Sequence, residues 1–269
     1  MSPPKKRRRT IARVLAAVVA YLPLSVAYLA YSGQLSARDW RTASREPAGL
    51  APNPATTREA VIQVYSARAV SWRGWFGVHT WIAVKPRDAS EFTVHEVMGW
   101  RLKSTGTSLV ARNRPADGYW YGARPELLGD IRGPGVEAII ERIDAAVKEY
   151  PYPDTYHLWP GPNSNTFVAF VLRRVPELRV DMPPTAIGKD YLGWQSVNTT
   201  PSGTGGQVNL LGLAGVSVGL EEGLEVNLLG LNFGVDPKSL SIKLPIAGRI
   251  GPHGVPAPKL IPAPVTSKT

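Results

Sequence analysis

Hydrophobic and polar positions change their spacing several times along the chain, and each change marks a boundary. From Val14 to Tyr31 the residues are uncharged and mostly apolar (VLAAVVAYLPLSVAYLAY). A helix of that length rises about 27 Å, close to the ~30 Å hydrocarbon thickness of a bilayer, so residues 14–31 are predicted to form a transmembrane anchor. Residues 32–57 carry Pro47, Pro52 and Pro54 among small and polar residues without a sustained period, the pattern of a linker. Short β-type runs follow at 60–67 (AVIQVYSA), 76–85 (FGVHTWIAVK) and 91–100 (EFTVHEVMGW), with further strand expected at 108–112 and 118–121. The turn residues Pro86, Arg87, Asp88 and Ala89 join the second and third runs into an antiparallel hairpin.

The period then changes to that of a helix. Val136, Ile139, Ile140, Ile143 and Val147 are spaced by threes and fours behind Pro134, and the pattern ends before Pro151. Residues 156–159 read as a short strand. A second, mostly apolar helix is predicted over 166–175 (TFVAFVLRRV), stopped by Pro176. Beyond residue 198 glycine punctuates the chain, and Val208–Leu213 (VNLLGL) recurs as Val226–Leu231. Two copies are too few for a solenoid and suggest a long hairpin.

The chain therefore divides into a basic N-terminus (1–13), the anchor (14–31), the linker (32–57), an α+β domain (58–198), a β-hairpin extension (199–251) and a proline-rich tail (252–269). The expected fold class is α+β, an antiparallel sheet packed by two or more helices.

Composition narrows the chemistry. Without cysteine the chain has no disulfide, no thiolate metal site and no cysteine nucleophile. The net charge of +10 suggests a nucleic-acid binder only until it is located. Lys5, Lys6, Arg7, Arg8, Arg9 and Arg13 supply six of those charges ahead of the apolar segment, and the other four are scattered. No phosphate-binding stripe remains, so no nucleic-acid partner is expected. The positive-inside rule instead keeps that cluster cytoplasmic and places the body across the membrane. A cleaved signal peptide has a shorter apolar stretch, about 7–15 residues, and the residues after Arg8-Arg9 fit a twin-arginine signal poorly. The expected location is the bacterial inner membrane, single-pass, with a periplasmic body.

The candidate chemistry lies in Gly77-Val78-His79-Thr80-Trp81 and Gly161-Pro162-Asn163-Ser164-Asn165-Thr166-Phe167. Ser164 sits where a helix begins, beside free backbone N–H groups and the positive end of the helix dipole. Those groups, the Asn165 N–H among them, can form an oxyanion hole, and His79 can act as general base. Directly opposed residues of an antiparallel pair sum to a constant. A turn centred at Arg87 gives 174, which sets His95 opposite His79, where it would orient the imidazole. The same Asn-Ser-Asn run is also a plain helix cap. Zinc on His79, His95 and His157 has no diagnostic spacing, so neither metal nor cofactor is expected. Lys189-Asp190 reads as solvated surface.

The order of histidine strand, paired strand and helix-start nucleophile resembles the circularly permuted branch of the papain-like NlpC superfamily. The Val-His-Thr-Trp and Asn-Ser-Asn-Thr-Phe segments are also similar to those of an uncharacterised family of bacterial inner-membrane proteins. The resemblance covers roughly residues 58–195. It implies hydrolysis or transfer at an amide or ester of cell-wall peptide or lipid, with Ser164 in place of the superfamily's cysteine. Two functions follow as expectations: a serine-nucleophile hydrolase or acyltransferase, or a non-catalytic envelope-binding protein with a degenerate cleft.

Overall fold

The computed structural model describes residues 20–21, 23–31, 39–252 and 256–262. The first unit is a six-stranded mixed sheet in the order β13-β5-β1-β2-β3-β4. Its strands are β1 (Val61–Arg68), β2 (Val78–Lys85), β3 (Thr93–Val97), β4 (Leu109–Asn113), β5 (Glu126–Arg132) and β13 (Lys259–Leu260). Only β13, which returns from the tail, runs parallel to its neighbour. Helices α1 (Leu102–Thr105), α2 (Val136–Lys148) and α3 (Ser164–Arg174) complete this unit.

Both faces of the sheet are covered, which is why β1 and β2 are buried along their whole length. Alternation sends Ile62, Val64, Ile82 and Val84 to one face, where they meet Ile139 and Ile143 of α2 and Phe167 and Val171 of α3. It sends Val61, Tyr65, Trp81 and Ala83 to the other, against Trp120, Val94 and Leu127. Each core is aliphatic or aromatic and excludes water, the main source of folding free energy.

The hairpin register differs from the predicted one. Ile82, not His79, pairs with His95. Residues 86–92 all lie outside the strands. This longer loop moves the centre of the turn beyond Arg87. The opposed residues now sum to 177, and a displacement by three, an odd number, reverses which face each β3 side chain takes. Residues 118–121 contribute only isolated bridges, Pro47 to Gly118 and Trp120 to Ala123, and 156–159 is not a strand.

The second unit corrects the expected single hairpin. Residues 197–250 form a seven-stranded antiparallel meander in the order β12-β11-β10-β9-β8-β7-β6. Its strands are β6 (Val197–Thr199), β7 (Gly205–Leu210), β8 (Ala214–Gly219), β9 (Gly223–Leu228), β10 (Leu231–Asp236), β11 (Ser241–Leu244) and β12 (Gly248–Ile250). The repeated VNLLGL segment is one strand end plus one turn. Leu-Gly takes consecutive positive φ values at Leu211 and Gly212 (52° and 77°) and again at Leu229 and Gly230 (54° and 81°). The preceding asparagine caps each turn, with Asn209 Oδ1 accepting from Gly212 N at 2.6 Å and Asn227 Oδ1 from Gly230 N at 2.9 Å.

The inner face of this meander is polar and buried. Lys189, which reads from the sequence as surface, is 1% exposed, with Nζ 3.1 Å from Asp190 Oδ1 and bonded to Glu225. Glu225 Oε1 also takes Lys243 Nζ at 2.7 Å. Arg173 of α3 donates to Gln207 Oε1 at 2.7 Å, and Asn227 Nδ2 to Asp190 Oδ2 at 3.1 Å. The two units are thus joined by a dry ion network, satisfied pair by pair as burial of charge requires.

Of the expected anchor, residues 14–19 and 22 lie outside the described residues. Residues 20–21 and 23–31 are helical. No helix among the described residues is long and apolar enough to cross a membrane. The Tyr21 hydroxyl donates to the Pro245 carbonyl in the β11–β12 turn, and Ser25 and Leu29 are buried.

Candidate functional site

The helix start at Ser164 is a complete capping box. Asn163, at φ −147°, is the N-cap, and its Oδ1 accepts from Asn165 N at 2.9 Å and Thr166 N at 3.2 Å. Thr166 Oγ1 in return accepts from Asn163 N at 3.1 Å. Gly188, at φ +95°, makes room for this cap: a Cβ there would sit 2.5 Å from Asn163 Nδ2. Asn165 fastens the helix to β2. Its Nδ2 donates to Val78 O at 3.0 Å and Ile187 O at 2.8 Å, and its Oδ1 accepts from Thr80 Oγ1 at 3.0 Å. The Asn165 N–H, expected to face an oxyanion, is therefore already bonded.

Ser164 itself is 4% exposed, and its carbonyl accepts from Thr80 Oγ1 at 3.4 Å. α3 thus packs on the Thr80 face of β2. His79 neighbours Thr80 in the strand, so its side chain takes the opposite face. There its ring stacks on Trp120, with centroids 3.7 Å apart and planes 10° from parallel. No hydrogen bond joins the Ser164 hydroxyl to His79 among the described residues.

The partner of His79 is Glu96, one residue beyond the expected His95. His79 Nε2 lies 3.0 Å from Glu96 Oε2, and Arg112 and Arg114 approach the same carboxylate at 3.3 Å. Burial drives the imidazole below its ordinary range against the pull of Glu96, leaving it neutral and donating through Nε2. Burial pushes the Glu96 carboxyl up, but the His79 bond and the Arg114 and Arg112 charges overcome it and hold it down at about 2. Trp81, Trp120 and Arg114, whose guanidinium lies 5.0 Å from the Trp81 ring, close the pair from water.

His95 points to the helical face. Its Nε2 is 3.2 Å from Asp144 Oδ1 of α2, yet neither ring nitrogen makes an aligned hydrogen bond. Burial lowers its pKa, with Asp144 opposing. His157 is exposed. Ser164, Asn165, His79 and His95 are therefore divided between two faces of one sheet. Glu96 is the residue that sequence reasoning missed, and the signal was its alternation with His95: an odd error in the turn exchanges the two. No cluster of three or more metal-ligating side chains occurs among the described residues.

A concavity lies elsewhere, between the two units. It encloses about 850 Å³, within the usual range for ligand sites. Arg68 and Val78 from β1 and β2, Glu126 and Leu128 from β5, and Arg249 from β12 form its walls, with Tyr28 of the N-terminal helix at one side. Much of its charge is internally matched. Arg249 pairs with Asp181, and Lys238 with Glu221. Arg124 and Arg179 also line it, are exposed, and make no ion pair among the described residues. Unmatched guanidiniums among the lining can bind a planar or tetrahedral oxyanion through paired N–H donors.

No curated protein and no solved structure matches the chain. Residues 59–191, from β1 through the loop after α3, match the family described as "Protein of unknown function (DUF3750)".

Proposed function

We propose that the protein is a binding domain of the bacterial inner membrane, held there by its basic and apolar N-terminal segment, with its body in the periplasm. A papain-like cleft has lost its catalytic use, and the ligand presents a carboxylate or phosphate to the cavity between the two units. The observation that carries this reading is the pair Arg124 and Arg179, exposed on the cavity wall and without acidic partners among the described residues. The basic cluster ahead of residue 14 supports the orientation. The rival, acyl transfer by Ser164, needs an imidazole within reach and a free N–H to receive the oxyanion. His79 faces away, neither ring nitrogen of His95 makes a hydrogen bond, and Asn163 occupies the Asn165 N–H.

The test is calorimetric titration of the full-length protein in detergent with glycerol 3-phosphate and, separately, with a cell-wall peptide ending in a free carboxylate. Saturable binding of either is expected. Arg124→Ala and Arg179→Ala should each weaken it about tenfold, the effect of losing a charge-assisted bond of roughly 1.5 kcal/mol. Silence with both ligands from folded protein contradicts the reading, and the ligand that binds distinguishes phosphate from carboxylate.

A further inference from the structure

The meander is patterned inside out. Each inward position on β9 is polar (Glu225, Asn227) and each outward one apolar (Leu224, Val226, Leu228). The strand register lines the outward residues into rows. Val197, Val208, Val216, Val226 and Phe233 are opposed strand by strand, and between 36% and 70% exposed. Val218, Leu224, Val235, Ile242 and Ile250 form a second row in the same way. Seven strands about 4.8 Å apart, most of them about 20 Å long, make a face of roughly 600 Å², at the upper limit of what a soluble monomer leaves bare.

We infer that this outer face lies on the lipid bilayer of the inner membrane, which rests on the anchored reading above. Two observations select lipid over a second copy of the chain. The apolar segment leads to this sheet, since Tyr21 is bonded to Pro245 between β11 and β12. The apolar character also continues past the strands into the turn tips. Leu229 and Leu240 hold left-handed φ values of 54° and 52°, and are 66% and 79% exposed. In water asparagine or glycine is favoured at such tips. A sheet resting at the headgroup–acyl boundary adds its contact to that of the anchor. Trp159, bonded through Nε1 to Leu229 O at 2.8 Å, and Tyr31, 93% exposed, suit the aromatic level of that boundary. The edge strands β6 and β12 are three residues each, so little unpaired backbone approaches the lipid.

Because the chain has no cysteine, one introduced thiol takes one label. Full-length Val226→Cys, Ile242→Cys and Lys103→Cys proteins carry an environment-sensitive fluorophore in vesicles of phosphatidylethanolamine and phosphatidylglycerol containing spin-labelled lipid. Lys103, exposed on α1, is the control. Blue-shifted emission and strong lipid quenching at residues 226 and 242, with neither at 103, is the expected result. Equal exposure of all three labels to an aqueous quencher overturns the inference. So does self-quenching at 226 and 242 that persists in detergent, which reports a sandwich of two copies. An alkaline wash after the optical reading tests the anchor separately, so loss of protein there refutes the anchored reading without altering the result for the sheet.

Discussion

His79 Nε2 and Glu96 Oε2 lie 3.0 Å apart in a pocket where both side chains are almost fully buried. The pair is a neutral imidazole donating to a carboxylate, and Arg114 and Arg112 neutralise that charge. Its consequence is stability that depends on acid. Glu96 titrates at about 2 in the fold against 4.5 as its ordinary value, so its contribution is present above pH 4.5 and lost as pH falls towards 2. The amount is on the order of 3 kcal/mol. His79 acts in the same direction at higher pH: its folded pKa is depressed, so stability declines as pH falls below 6.5 and the unfolded chain takes up the proton. Chemical denaturation from pH 8 to 3 should show both limbs. Glu96→Gln should lose about 3 kcal/mol at pH 7, leaving Arg114 buried without its counter-charge, and should flatten the limb below 4.5.

The helix start separates capping from catalysis. Asn163→Ala removes the acceptor for two backbone N–H groups and a donor to two carbonyls, and should cost about 2 kcal/mol. Ser164→Ala removes a hydroxyl with no bond to His79 and should change stability by less than about 0.5 kcal/mol. Thermal denaturation of the two variants checks the contrast. A larger loss from Ser164→Ala than from Asn163→Ala would contradict the capping account.

The meander turns hold strained leucines. Leucine at φ 54° costs about 1 kcal/mol relative to glycine. In nanodiscs, Leu229→Gly relieves that strain but gives up the leucine's lipid contact, worth about 2 kcal/mol, and should lower the midpoint of unfolding. Asn227→Ala, which leaves Gly230 N without its acceptor and removes the Asn227 donor to Asp190 Oδ2, should lower stability by about 2 kcal/mol.

Much of the first unit was legible in the sequence because its signals are local. The threes-and-fours of Val136, Ile139, Ile140 and Ile143 give α2 within a residue or two of its observed ends, and the β-branched runs give β1 and β2. Pairing across a loop is not local: residues 86–92 contain a turn signal at Pro86 to Ala89 but continue beyond it, and that extension put Glu96 rather than His95 beside His79. The meander was read as one hairpin because only the VNLLGL turns repeat in sequence, while the β8–β9 and β10–β11 turns use unrelated residues. Its inverted burial was also hidden. Alternation shows that Val226 and Asn227 face opposite ways, but not which one meets the body. The buried Lys189 shows why: a lysine beside an aspartate looks solvated until Glu225, 36 residues away, is brought against it.

The central claim is that the Ser164 hydroxyl and the His79 imidazole occupy opposite faces of β2 and do no chemistry together. Treatment of folded full-length protein with a fluorophosphonate serine probe, followed by intact-mass analysis, tests it most directly. The expected result is no adduct, identical to Ser164→Ala. A stoichiometric adduct on Ser164 that disappears in His79→Ala would contradict the account and restore the serine as a nucleophile.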